Sequence, residues 1–278
     1  MFYTALALVI LVIAVLGSAS GELVGNRFGL APVYGTITMV IIIGTLVFYG
    51  TAIIEKVLAG WSFLLYAVYA VLIWSFLSEF GHKIPAVLAT DDMSGPWVMS
   101  TIRYVALTAT AATMILFCVR HMECRRDAFV AGALAGPIGM LPAIFFLLGM
   151  IASYPEILEA AVPSDYMMQQ LDLGWLSLIF YIVVFGTFIE TGTGMIHAIN
   201  ERIDHVFHER STSMPRWLRP TIAMLILFFA VVLADRIGIV ELIAKGYVGL
   251  AWVLLGIFLL PLLTVGILRI SKRGSYRN

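Results

Sequence analysis

The sequence predicts an all-α, polytopic bundle of transmembrane helices, and three features carry that prediction. Of 278 residues, 61% are hydrophobic and only 12% are charged, whereas an average soluble domain has about 25% charged and roughly 45–50% apolar residues. The mean hydropathy is +0.99. The apolar residues come in unbroken runs such as ILVIAV, MVIIIG and MLILFFAVVL, not in the alternating pattern of a membrane β-barrel strand. In lipid such a run must satisfy its own backbone polar groups, which a helix does. A soluble enzyme, a nucleic-acid binder and a disordered chain are excluded. The 17 basic and 17 acidic residues cancel, so no global field draws an anionic partner. Two cysteines, Cys118 and Cys124, make no disulfide framework. The first apolar run starts at Phe2 with no basic residue before it, which does not read as a cleavable signal. The partner that this composition demands is the lipid bilayer.

A crossing takes about 20 apolar residues for a hydrocarbon core of roughly 30 Å. Eight segments meet or approach that length: residues 2–19, 33–54, 57–78, 98–119, 128–153, 173–198, 221–238 and 248–270, in one transmembrane domain, residues 1–278. Segments 33–54 and 57–78 are divided only by Glu55 and Lys56 and together exceed one crossing, so a tight hairpin is expected there. With the N-terminus inside, Lys56, Arg120, Arg125, Arg126, Arg202, Arg210, Arg216, Arg219, Arg269, Lys272, Arg273 and Arg277 are cytoplasmic. Arg27, Lys83, Arg103, Arg236 and Lys245 then lie outside, twelve basic residues against five. This positive-inside bias places both termini in the cytoplasm of a multi-pass cell (inner) membrane protein. Trp97 and Trp175 fall at span ends, as an interfacial belt or as packing between helices.

The hydrophilic stretches are 79–97, 154–172 and 199–220. Residues 154–172 carry Pro155 and Pro163 and read as a short outer helix over a vestibule; 199–220 reads as a solvated cytoplasmic loop or a short interfacial helix ending before Pro215.

Several spans have compositions that need a cause. Residues 98–119 hold YVALTATAATM, with Thr108, Thr110 and Thr113 among small alanines and Thr101 and Tyr104 one face back. Threonines bond nearby carbonyls and weaken a helix, which fits either a broken helix lining a site or close packing of small residues. Arg103, near the outer end, is expected to snorkel to the headgroups. In 173–198, Thr187, Glu190, Thr191, Gly194 and His197 recur at spacings of three and four and share one face, which Glu201 extends. A carboxylate in mid-span is costly unless protonated, paired or hydrated. It is a proton carrier, a cation ligand or a structural glutamate bonded to another helix. Span 128–153 contains a Gly132–Gly136 contact motif and two kinking prolines, Pro137 and Pro142, for a hinge or a static bend. Cys118, His121 and Cys124 are three soft ligands at a helix end with no fourth, so no metal site is assigned. No paired-aspartate, HExxH or GxSxG signature is present, so neither an enzyme nor a cofactor is expected.

The stretch FIETGTGMIHAINERI, residues 188–203, resembles the eighth helix of YkvI-type membrane proteins, in the amino acid–polyamine–organocation transporter superfamily. Residues 14–35, AVLGSASGELVGNRFGLAPVYG, are similar to that family's third helix and following loop, residues 98–116 to its sixth, with Tyr104 matching its tyrosine, and YPEILEAAVP, residues 154–163, to its outer segment. The resemblance implies an inverted five-plus-five helix fold of the leucine-transporter type. Residues 1–78 would be helices three to five and 98–270 helices six to ten. It also implies a cation site using Thr187, Thr191 and Thr193, coupling through Glu190 and His197, and a solute faced by Tyr104 and Thr108. The function implied is Na+- or H+-coupled movement of an amino acid or amine. Leu107 and Thr108 stand where the family has an asparagine. The family's first two helices have no counterpart, so an N-terminal partner segment, a homo-oligomer or a role as a non-transporting structural or regulatory subunit is an alternative.

The topology generates one test. In a background lacking Cys118 and Cys124, cysteines placed at Asp92 and Arg210 should react with an impermeant thiol reagent from opposite sides of the membrane. Labelling from the same side overturns the expected spans between them.

Overall fold

A computed structural model describes residues 2–49, 51–89, 95–111, 124–215, 217–266 and 268–269. Among them there is no strand. The long helices are α1 Phe2–Phe28, α2 Pro32–Tyr49, α3 Thr51–Phe80, α5 Trp97–Ala111, α6 Arg125–Ala152, α8 Gly174–Glu209 and α9 Leu218–Ile237, followed by α10, Ile239–Gly266. Short α4, Ile84–Leu88, and α7, Pro163–Leu171, stand between them. Six of the helices are long and apolar enough to cross a membrane: Tyr3–Phe28, Phe63–Leu88 (α3 running on through α4), Arg126–Ala152, Gly174–Glu209, Leu218–Ile237 and Ile239–Gly266. Pro32–Phe48 is apolar but shorter, and the described part of α5 has 15 residues. The chain is therefore an integral membrane protein with six candidate crossings among the described residues.

Several expectations are corrected. Glu55 and Lys56 do not form a hairpin; they lie inside the continuous helix α3. A charge pair does not stop a helix, because Glu and Lys are themselves good helix formers. Residues 199–209 are neither a loop nor a separate helix but the last turns of α8, a helix of 36 residues. At 1.5 Å per residue it runs about 54 Å, well past a hydrocarbon core of about 30 Å. A short helix is present in 154–172, as expected: α7. Span 98–119 is described only to Ala111, so Thr113, Cys118 and His121 lie outside the described residues. Among the described residues no group of His, Cys, Asp and Glu could hold a metal ion.

Two glycines take positive φ at helix ends. Gly29 (φ 66°) follows α1, and Gly238 (φ 75°) ends α9. A side chain at either would be strained. The α1–α2 hairpin is close enough that a Cβ on Gly35 would sit 2.3 Å from the Ser20 carbonyl oxygen, and one on Gly21 2.6 Å from that of Pro32. One hydroxyl bonds across the same contact: Thr36 Oγ1 of α2 donates to the Gly17 carbonyl oxygen of α1 at 2.7 Å, which also accepts from Ser20 Oγ within α1 at 2.8 Å. Small residues that let backbones approach, with hydroxyls bonding across, are how helices adhere in lipid.

The buried side chains form two clusters. One joins α1, α2, α9, the C-terminal half of α8 and the start of α10, around Val9, Ile13, Met39, Ile43, Ile196 and Leu227. The other joins α3, α7 and the N-terminal half of α8, around Leu72, Phe76, Met167, Leu176 and Phe180. Tyr69 ties α3 to α6 and α8, its ring 6.1 Å from both Phe146 and Phe180. Helix α5 packs on α10, and α6 on α3, α4 and α7. Around Gly132, Gly136 and Gly139 a Cβ would meet nothing within 4 Å. The Gly132–Gly136 motif therefore has no partner helix within the described chain, because α6 packs through its other end, at Phe146 and Met150. Arg103 does not simply reach outward; its guanidinium lies 5.4 Å over the Trp252 ring of α10. Trp97 and Trp175 are exposed at helix starts, in line with interfacial positions. The exposed apolar side chains, among them Phe63, Trp74, Phe129 and Phe228, are what a hydrocarbon solvent requires.

Two glycine substitutions follow from these approaches. Gly35→Ala forces α2 off the Ser20 carbonyl and should cost about 1–3 kcal/mol, visible as a lower Tm of the detergent-solubilised protein. At Gly44 the nearest atom, Leu227 Cδ1, is 3.6 Å from the new Cβ, so Gly44→Ala should be neutral or raise the Tm, since alanine is the better helix former.

Candidate functional site

Helix α8 changes its buried face half-way along. Leu176, Phe180, Val183 and Val184 are buried in its N-terminal half, and Gly192, Thr193, Ile196, Ile199 and Asn200 in its C-terminal half. At 100° per residue these two sets point to roughly opposite sides of the helix. Between them, residues 185–191 are all half-buried. Glu190 stands in this crossover, about 24 Å from the start of α8 and about 28 Å from its end. Among the described residues its carboxylate makes no hydrogen bond or ion pair.

The residues expected to act with Glu190 divide into three. Thr187 and Thr191 flank it and are half-buried, but Thr187 Oγ1 donates to the Val183 carbonyl oxygen at 2.9 Å. Thr193 is fully buried among the α1–α2–α9 side chains, and its Oγ1 has no hydrogen-bond partner. Thr191 and Thr193 are two positions apart on an unbroken helix, about 200° around it, so their oxygens do not converge on one ion. His197 faces Glu201, with Nδ1 3.9 Å from Oε1. Glu201 in turn is held by Arg219, as is Asp204, each at 2.9 Å. The C-terminal part of the stripe is thus a polar clasp from α8 to the start of α9.

Tyr104 and Thr108 stand apart from this face. They lie on α5, which packs on α10. Both are exposed, and Thr108 Oγ1 donates to the Tyr104 carbonyl oxygen at 2.8 Å. The carbonyl is a helical acceptor, so the threonine relaxes into its own helix.

Sequence reasoning missed a second polar centre, at the C-terminal end of α1. Asp165 of α7 is only 2% exposed. Its Oδ2 accepts from Asn26 Nδ2 of α1 at 2.7 Å and from Gln169 Nε2 at 3.0 Å, and its Oδ1 from the Tyr181 hydroxyl of α8. A buried carboxylate persists where several donors offset its desolvation. The Arg27 guanidinium lies 5.8 Å over the Tyr181 ring. One carboxylate thus ties α1, α7 and α8 together. Its signal was faint: a single Asp in a hydrophilic stretch, 139 residues from Asn26.

In comparisons with family models, curated proteins and solved structures, none matches this chain. The site is read from its own chemistry.

Asp165→Ala should leave three donors without their acceptor and cost about 1–3 kcal/mol for each one that stays buried and dry. The expected outcome is a marked fall in the Tm of the detergent-solubilised protein, with Glu159→Ala, at an exposed position, as the unaffected control.

Proposed function

We propose that the protein is a secondary transporter-like membrane protein, moving a small solute with a coupling cation, Na+ or H+, rather than an enzyme. The observation that carries this reading is Glu190: a carboxylate about midway along a helix long enough to cross the membrane, with no hydrogen-bonding or ionic partner among the described residues. Ionisable groups at that depth are expensive and mark ion or substrate paths. The unpartnered Thr193 hydroxyl three positions on supports it, because a buried polar atom with no partner is free to meet a ligand. The solute class, an amino acid or amine, rests on the YkvI-type resemblance. So do the inverted five-plus-five fold and the solute-facing roles of Tyr104 and Thr108, whereas the eight-span count rests on the apolar runs and the cytoplasmic termini on the positive-inside bias. Glu190 binds and releases the coupling cation. Thr187, Thr191 and Thr193 act in different states or on different ions, since the helix separates them. A non-transporting subunit is favoured by one feature: among the described residues nothing packs against the glycine face of α6, as an association surface would have it.

The test is solute counterflow in proteoliposomes with wild type and Glu190→Gln. Loss of sodium- or pH-dependent flux, with Tm retained, is expected. Flux with unchanged sodium and pH dependence in the Gln variant removes Glu190 from coupling. Absence of flux in the wild type, with a defined oligomer formed through α6, favours the subunit reading.

A further inference from the structure

A groove of about 420 Å³ opens between α1, α3 and α8. Its walls are almost entirely apolar. Trp61 of α3 forms one side, resting on Gly186 of α8, where an added Cβ would strike the indole, and Trp61 Nε1 donates to the Val183 carbonyl oxygen at 3.2 Å. The indole is therefore locked as a wall and does not fill the space. The rim residues Phe28, Leu178 and Ile182 are exposed, so the groove opens sideways, toward what surrounds a membrane-spanning helix.

Three features identify an occupant. From Leu178 to Ile189 the groove follows α8 for about 17 Å, close to the depth of one leaflet of a hydrocarbon core of about 30 Å. The lining is apolar along that length, as an alkyl chain requires. One cation stands at the end of it, Arg27, in the last turn of α1. Among the described residues Arg27 makes no ion pair with a carboxylate; it rests over the Tyr181 ring. The nearby Asp165 is already occupied by Asn26, Gln169 and Tyr181. We propose that this groove holds one acyl chain of an anionic phospholipid, whose phosphate meets the Arg27 guanidinium. The geometry matches in order: a charged head at the helix end, then a single chain running one leaflet deep to Ile189, one residue from Glu190. The acyl chain lies along α8 beside the C-terminal turns of α1, with the Trp61 indole of α3 as its wall. The proposal stands independently of transport.

Native mass spectrometry of delipidated protein tests it, with phosphatidylglycerol and phosphatidylcholine of identical chains offered in equal amounts. One phosphatidylglycerol should be retained in preference by about fivefold, the size expected for one basic residue near an anionic lipid. Arg27→Gln should bring that ratio near one while a chain is still bound. Ile182→Trp, at an exposed position on the rim, should lower retention of both lipids with the Tm unchanged. Equal retention of the two lipids by the wild type, or a preference unaltered by Arg27→Gln, overturns the proposal. So does a dimer mass that excludes lipid, because the groove would then be covered by a second copy of the chain.

Discussion

The structure depends on α8 being buried twice, on opposite sides. A helix in a simple bundle keeps one apolar stripe toward its neighbours. Here the N-terminal half of α8 packs Phe180 and Val183 against α3 and α7, and its C-terminal half packs Ile196 and Ile199 against α1, α2 and α9. Neither cluster can shift without moving α8. The exchange of faces leaves seven residues, 185–191, that neither cluster buries fully. Polar side chains are tolerated there for that reason. Fully enclosed in either cluster, an unpaired Glu190 would be far costlier.

The same arrangement explains the positions of the small residues. Gly186 admits the Trp61 indole and Gly192 admits Ile43, each at a distance a Cβ would violate. They bring α3 to one side of α8 and α2 to the other. A larger residue at either position would push one cluster away and close or widen the crossover. The glycines of FGTFIETGTG therefore set the geometry around Glu190 as much as the charge itself does.

Much of this was legible in the sequence, and the misses have physical causes. Continuous apolar runs located nearly every long helix, because lipid imposes the same demand on each. The stripe of Glu190 and its neighbours was legible because spacing of three and four fixes a helix face. What spacing cannot reveal is which face is buried where. The pattern grouped His197 and Glu201 with Glu190, whereas Arg219, far along the chain, draws Glu201 into a clasp with Asp204. Thr193 was associated with Thr187 and Thr191 through a family resemblance and not through its angle on the helix. The Asp165 centre was hidden because its partners come from three helices. The Glu55–Lys56 pair was misleading because charge is a poor guide to helix ends: α3 carries both residues inside it.

The peripheral helices complete the picture. Helix α5 leans on α10 and α6 leans on α3, α4 and α7, and neither contributes a large side chain to the α1–α2–α9 cluster. The last helix, α10, widens to π-type turns at Leu242–Tyr247, Leu255–Leu259 and Leu262–Gly266, the last two flanking Pro261, which has no N–H to give to a regular turn. Segments with few buried contacts and irregular backbone bonding open at the lowest free energy. By these measures α5, the N-terminal half of α6 and the C-terminal half of α10 open most cheaply, whereas Asp165 fastens α7 to α1 and α8. The Thr36 bond to the Gly17 carbonyl and the close backbone approach fasten α2 to α1. The crossover of α8 is the segment that belongs fully to neither cluster. Under the proposed reading, a change in the charge state of Glu190 acts at this crossover, where the packing on both sides of α8 is least complete and a charge is most readily accommodated.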